Sequence, residues 1–480
     1  MTASEWATGV SAENLGRLVM EHPFPDEQPL LSTINGSMSA GTARAEVLAI
    51  AAQLQAAGVK EHQAVAVRLP NGPAVITAMA GIWLAGAVFV PLNTLLPASE
   101  IEVVLEPTAP AALLDSEGLH TRANPATYED AAAFILWTSG TTGRPKPIIH
   151  THGGYRELLT RVLGPLSAKP DSNSRPRSPN LIPVSLALNA GIYNALFGLM
   201  AGAPLVIMDR FATDTFAELI RRFEIRSTVL PPAAIAMLND DPDVGDLTPL
   251  RYVRSITAPL SPLQARRFTE RFGSFVLNSY GQAEIGEVIG WTASDAKEHP
   301  EKIGAAGRPH AGVALKIVGD DGAALHAGSV GELLVRPPTM AAGYASGDDL
   351  TERVDDEGFL DTGDLAKIDV DGFVWIEGRK GDLINRGGNK IFPEEVEEVL
   401  LLDAAVDEVA VVGVPDDRLG QVPVAFVVSS ETIESDALEA LCRLHLVPYK
   451  VPVDFVGIDE LPRSEIGKVL RSQLVDGYLG

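Results

Sequence analysis

The sequence predicts an α/β protein in two parts: a large N-terminal domain of parallel-rich sheets with flanking helices over residues 1–380, and a small α+β C-terminal domain over 381–480. Three observations carry this. The chain has 480 residues, more than one hydrophobic core usually organises. Through about residue 330, helix-like segments alternate with short β-branched runs, the pattern of βα units. After that the alternation gives way to a hairpin, two consecutive strand-like runs and isolated helices.

In chain order, LAIAAQLQAAG is followed by AVAVRLP, AELIRRFE by STVLPP, and LQARRFTERFG by FVLNSYG, each an amphipathic helix leading into a strand. AVITAMAGIWLAGAVFV, 74–90, is the most hydrophobic window. It is short for a membrane span, holds two glycines and runs into Pro91, so a buried helix followed by a buried strand is expected. AKPDSNSRPRSPN, 168–180, reads as an exposed loop, because apolar periodicity resumes on both sides. AKIDV and FVWIEG flank Asp371-Gly372, a strong hairpin signal. FPEEVEEVLL puts Pro393 at the first helical position and Val396, Val399 and Leu400 on one face; Glu394, Glu395, Glu397 and Glu398 read as its solvated acidic side. VAVVGVPDD and VPVAFVV are strand-like, and DALEALCRLH is helix-like.

Charge narrows the function classes. Acidic residues outnumber basic ones 63 to 38, for a formal charge of −25 and a pI near 4.7. Such a surface repels phosphate backbones and anionic membranes, so neither nucleic acid nor a membrane span is expected. The single cysteine, Cys442, cannot form an internal disulfide, and MTASEWATGV lacks the basic and apolar blocks of a signal peptide. The cytoplasm is the expected location.

FILWTSGTTGRPKPIIHTH, 134–152, is the stretch richest in chemistry. A strand-like run ends in Thr138-Ser139-Gly140-Thr141-Thr142-Gly143, with Arg144 and Lys146 beyond. Glycines let backbone N–H groups approach a ligand, hydroxyls add donors and the basic side chains add charge, a combination suited to phosphate oxygens. It is not a Walker A loop, since Lys146 lies between Pro145 and Pro147, which disfavour an immediate helix. Composition alone leaves a Gly/Thr surface turn equally open.

Its company decides between them. SGTTGRPK is followed by YGQAE (280–284), GELLVRPPTMAAGY (331–344), DTGDLA (361–366), EGRKGDLINRGGNKIFPEEVE (377–397) and LPRSEIGKVLR (461–471). This ordered set resembles the AMP-forming adenylating superfamily, which includes acyl- and aryl-CoA synthetases, peptide-synthetase adenylation domains and beetle luciferases. The resemblance implies a mobile C-terminal domain and two half-reactions: a carboxylate and ATP form an acyl-adenylate and pyrophosphate, and a nucleophile then displaces AMP. It implies that Ser139, Gly140, Thr141, Thr142, Gly143 and Lys146 embrace the triphosphate, that Glu284 ligates Mg²⁺, and that Tyr280 and Gly281 lie by the adenine. Asp364 and Arg379 would hold the ribose, and Lys468 would reach the carboxylate and α-phosphate when the small domain closes.

Where the chain departs from the pattern, substrate choice is affected more than class. Ala283 stands where threonine is common, removing a hydroxyl, and Gly381 occupies the hinge position that often carries Asp or Lys. Against the corresponding segment of amino-acid-activating domains, Asn189 replaces the aspartate that pairs with an α-ammonium group, which disfavours amino acids. Leu186 and Leu188 replace a histidine or aromatic, and Ile256, beside Thr257, occupies a position that is often glycine. Together Leu188, Asn189, Ile256 and Thr257 imply a neutral, mostly apolar acid pocket for a compact aromatic or short- to medium-chain acid. Gly387 and Gly388 correspond to the thiol tunnel of CoA ligases, making CoA the first expected acceptor. A separate carrier protein or an amine is the alternative, because no phosphopantetheine-serine motif follows GKVLR.

Overall fold

A computed structural model describes residues 10–138, 146–164, 178–256, 260–346, 350–403, 405–429, 434–463 and 469–479. The chain packs as two compact units: Met1–Val313 with Pro337–Val354, and Ala314–Arg336 with Asp355–Gly480. The class is the expected mixed α/β one. Packing divides the chain before 380/381, however, because strands from 314 to 379 group with the C-terminal residues. The helix Pro393–Leu400 lies against the strand Val374–Arg379 and ties the two sets together.

The larger unit holds two sheets. In one, the strands Pro29–Ser32, Leu205–Ile207, Asn180–Ile182, Ser227–Leu230, Tyr252–Ser255 and Phe275–Gln282 run parallel side by side. Antiparallel neighbours close its edges: Ser37–Ser39 at one side, Gly286–Gly290 and Arg308–Pro309 at the other. In the second sheet, Ala132–Thr138, Val88–Pro91, Ala64–Arg68 and Ala112–Asp115 are parallel, and Lys146–Thr151 and Gly118–Thr121 return antiparallel. Several strands are apolar runs such as AVAVR: Ala64–Arg68 has one residue not buried, and Val88–Pro91 and Leu205–Ile207 have none, as a sheet covered on both faces requires.

The apolar window resolves into the helix Pro73–Leu84 and the strand Val88–Pro91, as expected. Twelve helical residues span about 18 Å at 1.5 Å each, well short of a hydrocarbon core of about 30 Å. Every residue from Val75 to Leu84 is buried in the core, and the Trp83 indole N–H donates to the Ala133 carbonyl at 2.6 Å. Among the described residues no helix is long and apolar enough to cross a membrane. The expected loop at 168–177 lies outside the described residues; Asn180 already begins a strand.

In the smaller unit, Ala314–Val318, Gly331–Arg336, Leu360–Ile368 and Val374–Arg379 form an antiparallel sheet. The Asp371-Gly372 turn forms as expected, with Gly372 at φ +82° and the Asp369 carboxylate accepting from the N–H groups of Asp371 and Phe373. A second sheet pairs Glu408–Asp416 with Gly420–Val428, and the helix Ser435–His445 follows in sequence.

The acidic side of Pro393–Leu400 is not simply solvated. Glu395 pairs with Lys450, and Glu397 accepts from the Arg471 guanidinium at 2.6 Å and the Val411 N–H at 2.7 Å. Glu394 lies against Gly378, where a Cβ would fall 2.7 Å from its Oε2. Burial first, then the Glu397 charge, push the Glu394 carboxyl up to about 7 against the opposing pull of Arg471. The folded state therefore holds this proton more tightly than the unfolded chain. That stabilisation is complete below about pH 4.5 and lost as pH rises through 7. Glu394→Gln is expected to flatten this decline, raising the melting temperature at pH 8 relative to the parent while changing it little at pH 5, as measured by calorimetry across that range.

Candidate active site

Two of the residues assigned to the nucleotide meet in the smaller unit. Asp364 and Arg379 face each other in register across the strands Leu360–Ile368 and Val374–Arg379, and Arg379 Nε donates to Asp364 Oδ1 at 2.6 Å. The Asp364 side chain is 5 % exposed and that of Arg379 40 %, so a buried acceptor is held by a donor that reaches solvent. The Asp364 N–H donates to Thr362 Oγ1, which itself donates to the Leu333 carbonyl. These bonds fix the backbone at Asp364, and a carboxylate carried there beside Arg379 suits a vicinal diol, whose two hydroxyls both donate.

In the larger unit, Lys146 opens the strand Lys146–Thr151 instead of a helix, which removes the Walker A alternative. Its ammonium lies over the Tyr344 ring, 5.4 Å from the centroid, and the Tyr344 hydroxyl donates to Glu284 Oε1 at 2.8 Å. Arg353 reaches the same oxygen at 3.3 Å. Burial and then the Glu284 charge push the Tyr344 phenol up to about 12, so it remains a donor at any physiological pH. Tyr280 and Gly281 end the strand Phe275–Gln282, where Gln282 Nε2 donates to the Tyr280 hydroxyl. Only glycine fits at 281: a Cβ there would sit 2.1 Å from the Gly286 carbonyl oxygen. Ser139, Gly140, Thr141, Thr142, Gly143, Thr257 and Lys468 lie outside the described residues.

Glu284 suits Mg²⁺ as a single protein carboxylate. Among the described residues no group of three or more His, Cys, Asp or Glu side chains could hold a metal, so a site made of protein alone is absent there. One carboxylate with Oε1 oriented by Tyr344 and Arg353 matches an ion that takes one or two protein carboxylates and completes its shell with phosphate and water.

The acid-pocket residues lead to a feature that sequence reasoning missed. Leu188 precedes the helix Asn189–Met200, and the Tyr155 hydroxyl donates to Asn189 Oδ1 at 2.9 Å. One turn further along this helix, the Tyr193 hydroxyl donates to Glu287 Oε2 at 3.1 Å. Arg254, two residues before Ile256, donates to Glu287 Oε1 at 2.6 Å, and His310 Nε2 lies 2.9 Å from the same oxygen. Burial alone would raise the Glu287 carboxyl, but Arg254 and then His310 outweigh it and hold it at about 2. Residues assigned to a neutral, apolar slot thus lie one helical turn (Asn189) and two residues (Ile256) from members of a buried charge cluster. A faint signal lay in the sequence: Arg254 and Glu287 each sit inside an otherwise strand-like run, YVRSI and IGEVIGW.

Gly387 and Gly388 form the turn between Ile384–Arg386 and Asn389–Ile391, with φ of +59° and +87°. Gly381 lies in a short helical turn, and a Cβ there would meet nothing within 4 Å. A separate cavity of about 270 Å³, lined by Leu260, Phe275, Val276, Trp291 and Ile303, includes none of the residues assigned to the acid.

Residues 22–126 and 115–345 match the AMP-binding enzyme family, and 395–468 match the AMP-binding enzyme C-terminal domain. The chain belongs to the AMP-binding enzyme family. It is 32 % identical to a sulfoacetate–CoA ligase of Cupriavidus necator, over 94 % of this chain and 95 % of that one. Identity to an indoleacetate–CoA ligase of Aromatoleum aromaticum is 30 %, over 88 % and 90 %. Among solved structures, an o-succinylbenzoate CoA synthetase of Bacillus subtilis in complex with its acyl-adenylate superposes with a TM-score of 0.82 at 26 % identity, covering 96 % of this chain and 97 % of that one. The AMP-binding family member described here is an AMP-forming carboxylic acid ligase of the acyl/aryl-CoA synthetase type.

Removing the carboxylate assigned to the ribose tests the first pair. Asp364→Ala is expected to raise the KM for ATP by roughly 10- to 100-fold in pyrophosphate exchange, the range for losing charge-assisted hydrogen bonds. Because Arg379 is 40 % exposed, the pair itself adds little to stability, and the melting temperature is expected to move by no more than a few degrees.

Proposed function

We propose that this enzyme activates a compact aromatic or short- to medium-chain carboxylic acid, not an amino acid, and transfers the acyl group to CoA. The full-length likeness to ligases whose names specify CoA supports the acceptor most strongly. Those names cover sulfoacetate, succinylbenzoate and indoleacetate, all compact acids.

In the first step a carboxylate oxygen attacks the α-phosphorus as the bond to pyrophosphate breaks. In the second, the CoA sulfur attacks the acyl carbon, the bond to AMP breaks and the thiol proton passes to solvent. Both steps need fixed donors where negative charge gathers. We assign Ser139, Gly140, Thr141, Thr142, Gly143 and Lys146 to the triphosphate, Tyr280 and Gly281 to the adenine, and Asp364 and Arg379 to the ribose. Lys468 is the adenylation lysine, Gly381 the hinge of the 1–380 and 381–480 domains, and Gly387 and Gly388 line the thiol path. Leu188, Asn189, Ile256 and Thr257 form the acid pocket, in which Asn189 offers an α-ammonium group no carboxylate. Glu284 would hold Mg²⁺, which when bound neutralises charge on the phosphate oxygens.

Pyrophosphate release across a panel of acids, with and without CoA, tests the reading. Benzoate-type or short branched acids are expected to turn over faster than palmitate or any amino acid, and CoA is expected to yield a thioester along with AMP. Acyl-adenylate that turns over only with an amine or a carrier protein would exclude CoA as acceptor. Lys468→Ala is expected to lower adenylation by at least about 100-fold while nucleotide binding persists, on the scale of removing one charge-stabilising donor.

A further inference from the structure

The motif GELLVRPPTMAAGY ends in a segment that laces two parts of the site together. The Ala341 N–H donates to the Glu284 carbonyl at 2.8 Å, and the Ala345 N–H donates to the Pro147 carbonyl at 2.7 Å. Between them, Gly343 and Tyr344 pair antiparallel with Ile149 and Ile148, in the strand that Lys146 opens. Backbone bonds on both sides fix where the Tyr344 side chain starts, and a ring with two χ angles has little freedom beyond that.

This side chain touches two groups with different atoms. The Lys146 ammonium lies over the ring, 5.4 Å from the centroid, within the range of a cation–π contact. At the other end the hydroxyl donates to Glu284 Oε1 at 2.8 Å, a charge-assisted bond. Arg353 reaches the same oxygen at 3.3 Å. Glu284 Oε2 makes no hydrogen bond among the described residues. A carboxylate held at one oxygen by two donors is oriented in advance for a cation at the other. The Tyr344 ring also packs against the core of the larger unit, a role that phenylalanine fills equally well, so the hydroxyl is the part that packing leaves unexplained.

We propose that Tyr344 is a positioning residue for adenylation with two separable parts: its hydroxyl presents Glu284 to the divalent cation through Oε2, and its ring holds the Lys146 ammonium for the triphosphate. The inference rests on the assignment of Glu284 to Mg²⁺ and of Lys146 to the triphosphate. One side chain then sets the spacing between the carboxylate and the ammonium that meet the same polyphosphate.

Binding measurements on the whole enzyme, without acid so that nothing turns over, separate the two parts. Mn²⁺ is the probe, since it shares the oxygen-ligand preference of Mg²⁺ and its unbound form is read by electron paramagnetic resonance. With enzyme in excess so that all ATP is bound, Tyr344→Phe is expected to weaken Mn²⁺ binding roughly 10-fold. That is the lower end of the usual cost of losing a group that orients a metal ligand, because phosphate and water supply the rest of the shell. ATP binding with divalent ions chelated should stay within about twofold of the parent in this variant, because the ring under Lys146 is kept. Tyr344→Leu removes the ring as well and is expected to weaken metal-free ATP binding by a further ~2- to 5-fold. In Glu284→Gln, Mn²⁺ binding is itself expected to fall, and adding Tyr344→Phe should then change it by no more than about twofold. A Tyr344→Phe effect that persists undiminished beside Glu284→Gln, or that weakens Mn²⁺ and metal-free ATP alike, shows a merely structural role and overturns the proposal. Equal metal-free ATP affinity in Tyr344→Phe and Tyr344→Leu overturns the part given to the ring. Unchanged Mn²⁺ binding in Glu284→Gln overturns the metal assignment on which the proposal rests, whereas a loss in Glu284→Gln with none in Tyr344→Phe overturns the hydroxyl's part alone.

Discussion

Parallel strands can be hydrogen-bonded side by side only if all of them run the same way, so their C-terminal ends collect at one edge. The larger unit depends on this constraint. Asn189 follows the strand Asn180–Ile182, Ile256 follows Tyr252–Ser255, and Tyr280 and Glu284 end or follow Phe275–Gln282, all in one parallel array. In the second sheet, the Ser/Thr/Gly segment follows Ala132–Thr138, which is parallel to Val88–Pro91. Asn189, Ile256, Tyr280 and Glu284, far apart in sequence, are thereby delivered to one end of a parallel array by backbone geometry alone. Each helix between them serves to return the chain and cover the apolar face.

Within that frame, electrostatics separates two kinds of charged group. Asp364 is buried but fixed by a half-exposed arginine, and Glu284 is oriented by a phenol and a guanidinium on one oxygen. Both keep the capacity to accept further donors, which is what nucleotide hydroxyls and phosphate-bound cations demand. Glu287 is the opposite case, with Arg254, His310 and Tyr193 saturating it inside the fold. Arg161 belongs to neither class: its guanidinium is buried with no hydrogen-bond partner among the described residues, and the charges of Glu157 and Glu287 act on it from nearby.

The smaller unit shows how burial changes the meaning of a charge pattern. Four glutamates on the helix Pro393–Leu400 read as a solvated face when only helical periodicity is considered. Lys450 and Arg471 arrive from distant parts of the chain to pair with Glu395 and Glu397, and Glu394 is pressed against Gly378. No local pattern announces a partner more than fifty residues away. The same holds near Leu188 and Ile256, which suggested an apolar slot, whereas the charges of Arg254, Glu287 and His310 come from neighbouring strands and loops.

The alternating periodicities, the Asp371-Gly372 turn, the buried helix and strand at 74–90 and the ordered motifs were all legible in the amino-acid sequence, because each depends on a few adjacent residues. They determined the α/β class and the family, whereas the pairing of Asp364 with Arg379 across the hairpin came from the structure. Only the tertiary structure decided where the compact units divide, that Tyr344 and Arg353 orient Glu284, and that Arg254, His310 and Tyr193 saturate Glu287. Those outcomes turn on desolvation and on long-range partners, and both are properties of the packed chain that no stretch of sequence contains.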